Sequence, residues 1–151
     1  MVSIIEFELK YAEDFKKLNL EWLDKYELTE EADLLMLNDP EKQIIDTGGC
    51  IFLAKDGETI VGSAALIKET STQYELAKMA VATDYRGRGI SNILIETCLD
   101  KAREMGAKRL YLVSNSQLTT AVALYTKYGF KHIPVIDAHY VTADVMMELL
   151  F

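Results

Sequence analysis

The chain has 151 residues, half of them hydrophobic and 26% charged, with a formal net charge of −8. That length suits one domain over residues 1–151 with a substantial core, and the acidic balance argues against a nucleic-acid or anionic-membrane surface while leaving room for a cationic acceptor such as an amine. No apolar run approaches the roughly 20 residues that span a bilayer, Met1 to Lys10 does not read as a signal peptide, and Cys50 and Cys98 are too few for a disulfide framework, so a cytoplasmic location is the default expectation.

Val2 to Leu9 alternates partly, with Ile5, Phe7 and Leu9 against Glu6 and Glu8, and is predicted as a first strand. From Tyr11 to Tyr26, apolar or aromatic residues recur at 11, 15, 18, 22 and 26, which is helical spacing. Thr29 reads as a cap ahead of Glu30 and Glu31 for a short second helix through Leu37, and Asp39-Pro40 opens one or two turns to about Asp46. After Thr47-Gly48-Gly49, strands are predicted from Cys50 to Ala54 and from Thr59 to Lys68, around the tight turn Lys55-Asp56-Gly57-Glu58. A polar turn leads into a third strand, Gln73 to Val81. Ile90, Leu94, Ile95, Cys98, Leu99 and Ala102 make one face of a helix that stops near Gly106. There follow a strand from Arg109 to Val113, a helix from Leu118 to Tyr128, a short strand from Phe130 to Ile133, a loop, and a last strand from Ala143 to Leu150. This order predicts a mixed α/β sheet with helices on both faces, in which the helix after Gly89 joins two parallel neighbours.

The turn before that helix carries the chemistry. A strand running through Arg86-Gly87-Arg88-Gly89 into a helix start exposes backbone N–H groups with the helix dipole behind them, and the two arginines add charge for a phosphate. The turn lacks the Gly-x-x-x-x-Gly-Lys-Ser/Thr of a nucleotide P-loop, and Ser91 and Asn92 break the three-glycine dinucleotide fingerprint. Arg86-Gly87-Arg88-Gly89-Ile90-Ser91 resembles the Arg/Gln-x-x-Gly-x-Gly/Ala signature of the GNAT acetyltransferases, with Ser91 standing where the family prefers Gly or Ala. Asn115, followed by Ala121-Val122-Ala123-Leu124-Tyr125-Thr126-Lys127-Tyr128-Gly129-Phe130, is similar to the family's second element. The strand order matches over nearly the whole chain.

The resemblance implies a mostly antiparallel sheet with a splayed parallel pair, acetyl-CoA as co-substrate, and no metal. It implies that the amides of Gly87, Arg88, Gly89, Ile90 and Ser91 hold the CoA pyrophosphate. It also implies that a bulged strand offers Met79, Ala80 and Val81 to the pantetheine arm like an added strand, with one N–H facing the thioester oxygen. Tyr125 aligns with the tyrosine that protonates the leaving thiolate, and Tyr128 is its competitor. Asn115 aligns with a residue that holds the pantetheine or the helix start; a turn residue is the other reading.

Glu75 is the candidate general base, since strand alternation puts it on the same side as Ala77 and Met79; an exposed edge acid is the alternative. His132 and His139 are weaker candidates. In the family the acceptor pocket is built by the first two helices and the loop before the last strand. Here those supply Trp22, Tyr26, Glu27 and Asp33, with His139 and Tyr140 opposite, although the aromatics also suit a core stripe and the acids a solvated face. Direct transfer to the amine of a small molecule or peptide is expected, with a catalytically idle CoA-binding module as the rival. The apolar Val145-Met146-Met147 and Leu149-Leu150-Phe151 would suit a homodimer.

Overall fold

A computed structural model describes residues 1–136 and 140–151. Among these residues seven strands form one sheet: β1 (Val2–Glu6), β2 (Cys50–Asp56), β3 (Thr59–Lys68), β4 (Gln73–Val81), β5 (Arg109–Ser114), β6 (Lys131–Ile133) and β7 (Val145–Leu150), in the spatial order β1-β2-β3-β4-β5-β7-β6. Every neighbouring pair is antiparallel except β4 with β5. Flanking the sheet are the α-helices α1 (Ala12–Lys25), α2 (Glu31–Asn38), α3 (Ile90–Glu104) and α4 (Thr119–Lys127).

The helices divide between the faces because the strands are apolar on both. Leu94, Ile95, Cys98 and Ala102 of α3 and Tyr125 of α4 pack on one face with Tyr74, Leu76 and Val81. Phe15 and Leu18 of α1 and Leu37 of α2 pack on the other with Ile67, Ala77 and Ala80. A near-continuous apolar β3, buried from Ile60 to Ile67, is what a strand covered on both faces requires. Gly62 lets α3 lie close: a Cβ there would sit 3.1 Å from Leu94 and 3.2 Å from Ile90.

The expected elements form with shifted ends. Glu30, rather than Thr29, caps α2, and its N–H donates to Asp33 Oδ2 at 2.9 Å. Thr29 instead bonds Asp24. Leu9, expected in the first strand, belongs to a 3₁₀ turn from Leu9 to Tyr11. The last strand is not an edge, because β7 pairs with β5 on one side and β6 on the other, and Val145 and Met147 point into the core. Leu150 and Phe151 remain exposed.

Two irregularities in β4 set up the site. The parallel ladder with β5 covers only Gln73, Tyr74 and Glu75, paired with Arg109, Leu110 and Tyr111. On the other side, Ser63 pairs with Ala80 and Ala65 with Ala77, so Lys78 and Met79 together face Ala64. This is a β-bulge, and Lys78 takes φ +54° to make it. The extra residue reverses the alternation: Ala77 packs toward α1, whereas Met79 packs toward α3. The expectation that Glu75, Ala77 and Met79 share one side is therefore corrected for Met79.

Candidate active site

Beyond Glu75, β4 and β5 separate, and the gap opens into a cleft of about 360 Å3. Its walls are β4 from Glu75 to Val81, the end of β5 from Val113 to Asn115, one side of α4, and the turn into α3. Trp22, Leu23, Leu28 and Asp33 close it from the α1–α2 side, with Tyr140 and Thr142 opposite.

At the turn, Gly87 has φ +75° and Gly89, which caps α3, has φ +80°. Backbone in this region favours glycine, and a Cβ at either position would project into open space. The first turn of α3 carries no acid, so nothing there opposes an anion at its N-terminus. Arg86, Gly87, Gly89, Ile90 and Ser91 all line the cleft.

The bulge is pinned twice. Ser63 Oγ donates to the Lys78 carbonyl at 2.7 Å and accepts from Asn19 Nδ2 at 3.0 Å. The Lys78 side chain, sent toward α2, reaches Asp33 Oδ1 at 2.7 Å and Tyr140 OH at 3.3 Å, with both members of the ion pair 5% exposed. Burial opposes the Lys78 charge, but Tyr140 and Asp33 overcome it and hold the ammonium pKa above its ordinary value.

Tyr125 is buried against Phe130, ring centroids 6.0 Å apart, and lines the cleft from α4. Burial pushes its phenol up to about 12, so it stays protonated at neutral pH. Glu75 lines the opposite wall at 6% exposure, and its charge contributes to raising the Tyr111 and Tyr140 pKa values. Asn115 donates from Nδ2 to the Thr142 carbonyl at 2.7 Å and accepts the Gln117 N–H at 2.9 Å, tying the end of β5 to the chain entering β7.

Both the sequence and the fold are similar to those of known proteins. The family model described as "Acetyltransferase (GNAT) family" matches residues 12–130. The chain belongs to the GNAT acetyltransferase family. An uncharacterized N-acetyltransferase of Bacillus subtilis is 30% identical over 122 residues, covering 75% of this chain and 77% of that protein. An uncharacterized N-acetyltransferase of Escherichia coli is 40% identical over 80 residues, so the match spans 52% of this chain and about half, 48%, of that relative. A GNAT-family acetyltransferase of Staphylococcus aureus has the same fold at a TM-score of 0.89 and 23% identity, with 98% of each chain covered. The PaiA N-acetyltransferase of Thermoplasma acidophilum, solved in complex with coenzyme A, superposes with a TM-score of 0.80 and 16% identity over 100% of this chain and 99% of its own.

Within this GNAT site, most residues singled out from sequence come together. Met79, Ala80, Val81, Arg86, Gly87, Gly89, Ile90, Ser91, Asn115, Glu75 and Tyr125 all line the cleft. Arg88 stands apart, its guanidinium 4.7 Å from the Tyr85 ring centroid. Arg86 lies over Trp22 at 4.4 Å and donates from Nε to the Val81 carbonyl at 3.2 Å. Tyr128 bonds Asn92 and Glu96 of α3 rather than facing the cleft. Cys98 is fully buried in the core, and burial raises its thiol pKa. Trp22 and Asp33 reach the cleft; Tyr26 packs on Trp22 at 5.4 Å instead. His132 is exposed on β6, and His139 lies outside the described residues.

Sequence reasoning did not single out Lys78, Asn19 or Ser63, and it placed Asp33 in the acceptor pocket or on a solvated face without a partner for it. One signal was present: Lys78 is a lone cation in the otherwise apolar run Leu76-Ala77-Lys78-Met79-Ala80-Val81. A charge in such a run needs a buried partner.

Proposed function

We propose that this protein transfers the acetyl group of acetyl-CoA directly to a primary amine while both substrates are bound. One observation carries the reading. The β4–β5 ladder ends at Glu75 and Tyr111, and the resulting gap runs from the glycine turn at the α3 N-terminus to Tyr125.

The residues present fit the cofactor. Amides of Gly87 to Ser91, at a helix start without acids, suit a pyrophosphate. Past the bulge, Met79 and Ala80 have no ladder partner on the β5 side among the described residues, which leaves main-chain groups for the amides of a pantetheine arm. The Val81 carbonyl is engaged by Arg86 Nε, so the pairing centres on Met79 and Ala80. Acetyl-CoA supplies an activated thioester. An N–H on this stretch donates a hydrogen bond to its carbonyl oxygen and stabilises the negative charge that develops there.

Glu75, directly or through water, takes the proton the acceptor ammonium must lose before it attacks. The new N–C bond forms as the C–S bond breaks, Tyr125 gives its phenolic proton to the departing sulfur, and the second proton shed by the nitrogen passes through water to restore the phenol. A phenol with a pKa of about 12 is available as an acid throughout the neutral range. No thiol is used, in keeping with the burial of Cys98.

The test is acetyl transfer by the purified protein to a panel of primary amines, with release of the free CoA thiol as the readout and intact mass after incubation with acetyl-CoA alone. Transfer without an acetylated protein is expected. A stable acetyl-enzyme overturns the direct route. Tight CoA binding with no turnover on any amine overturns catalysis in favour of a CoA-binding module.

A further inference from the structure

The acceptor end of the cleft is closed by a clasp between two segments far apart in sequence. The Glu30 carboxylate, at the start of α2, accepts the N–H of Val141 at 2.8 Å and of Thr142 at 2.9 Å, and the Thr142 hydroxyl as well. Three residues on, Asp33 holds Lys78, and Lys78 in turn reaches the hydroxyl of Tyr140. Lys78 is also 5.4 Å from the Tyr140 ring centroid. Asp33, Lys78, Tyr140 and Thr142 all line the cleft, so the clasp forms its wall rather than a remote surface contact.

Three consequences bear on the acceptor. First, a volume of about 360 Å3 lies near the lower end of the roughly 300–1,000 Å3 of ligand sites, and it must hold the acyl arm as well as the acceptor. Second, Glu30 ties the start of α2 to Val141 and Thr142, so two segments that would have to part for a polypeptide main chain are bonded to each other. Third, the Asp33 charge is already answered by an ammonium, so a second positive charge on the acceptor meets Lys78, not a free acid. Trp22, Leu23 and Leu28 give that side an apolar lining, and the one polar residue of α1 in it, Asn19, spends its amide N–H groups on the Phe15 carbonyl and Ser63 Oγ.

We infer that the clasp of Glu30 and Asp33 with Lys78 and the Tyr140–Thr142 segment restricts the acceptor to a compact monoamine with an apolar body, excluding polyamines and polypeptide amines. The inference rests on the acetyl-transfer reading above.

The experiment compares phenethylamine, spermidine and a short peptide with a free N-terminus as acceptors. Trp22, the single tryptophan, serves as a fluorescence reporter of CoA binding. Wild type should prefer phenethylamine in kcat/KM by about tenfold or more, a factor within reach of pocket contacts. Glu30→Gln presents an amide N–H where a carboxylate oxygen accepted, and so opens the clasp. It should raise the KM for phenethylamine several-fold and narrow the margin over the peptide, leaving the CoA titration unchanged. The paired variant Asp33→Asn/Lys78→Met, which removes both charges together, should narrow the margin over spermidine. A wild type that acetylates peptide or spermidine as well as phenethylamine overturns the clasp and leaves acetyl transfer standing. Unchanged selectivity in both folded variants does the same. A wild type whose Trp22 does not respond to CoA and that acetylates no amine overturns the function, and the clasp with it.

Discussion

Replacing Lys78 by Met removes the ammonium that faces Asp33 at 2.7 Å while keeping the bulk of the stem. Asp33 then stays in a site where its side chain is 5% exposed, with the Glu30 N–H as its remaining donor among the described residues. Removing one partner of a buried pair costs about 3–5 kcal/mol, because the other charge is left uncompensated. At roughly 2–4 °C per kcal/mol for a domain of this size, the Tm should fall by about 6–20 °C. Asp33→Asn alone strands the ammonium instead and should cost a similar ~3–5 kcal/mol. The double variant carries neither charge, and its introduced carboxamide keeps an oxygen for the Glu30 N–H. It should lose far less than the sum, with a coupling energy up to about 3 kcal/mol. The assay is thermal and urea unfolding of the four proteins at pH 7. That pH lies well inside the plateau: the folded pKa of Lys78 is raised, so its contribution is full below its ordinary value of 10.5 and is lost only as pH rises through the folded value. A Lys78→Met protein within about 0.5 kcal/mol of wild type, or strictly additive single variants, would refute the argument that this pair is desolvated and holds the bulge.

Gly89→Glu puts a side chain at φ +80° at a cost of about 1–2 kcal/mol, so the fold should persist; its carboxylate faces the anion site, and calorimetry should show CoA affinity down by tenfold or more, roughly 1.4 kcal/mol or beyond. Unchanged affinity would place the phosphates elsewhere. Tyr125→Phe should lower kcat roughly 10²-fold with KM for acetyl-CoA nearly kept, and wild-type turnover would remove Tyr125 from the acid role. Glu30 is the acid-sensitive point of the clasp. Burial tends to raise its pKa, but the bonds from Thr142 and Val141 lower it below 4.5 overall. The depressed value means its contribution is full above about pH 4.5 and fades as pH falls through the folded pKa. Amide exchange at Val141 and Thr142 should accelerate in that lower window, and exchange indifferent to acid would contradict it.

The sheet, the helix faces and the glycine turn were legible because each is written locally. Leu94, Cys98 and Ala102 recur at helical spacing, β3 is one apolar run, and Gly87 and Gly89 sit where the backbone needs positive φ. The second motif points to Tyr125 over Tyr128, and in the structure Tyr125 lines the cleft while Tyr128 bonds Asn92 and Glu96 of α3. The polar interior was not legible. Asp33 reads from sequence either as a pocket acid or as a solvated one, and its partner Lys78 lies 45 residues away; Glu30 finds its partners at Val141 and Thr142, more than a hundred residues on. Met79 was assigned to the wrong side because alternation assumes an unbroken period of two, and the bulge at Lys78 breaks it.

The short parallel ladder has a further consequence. Among the described residues the ladder that joins the β1–β4 half of the sheet to the β5–β7–β6 half has three residue pairs, extended at one end by the Lys108 and Arg109 N–H groups on the Thr72 carbonyl. An unsatisfied strand margin is usually a hazard confined to the rim of a protein, where it invites pairing with other chains. Here that margin is interior, guarded by the helices on either face. A molecule that pairs with it therefore does more than dock: it completes the seam between the two halves. Bound CoA should slow amide exchange on β5 and β7 as well as on β4, so that the cofactor acts for the sheet as a strand supplied from outside.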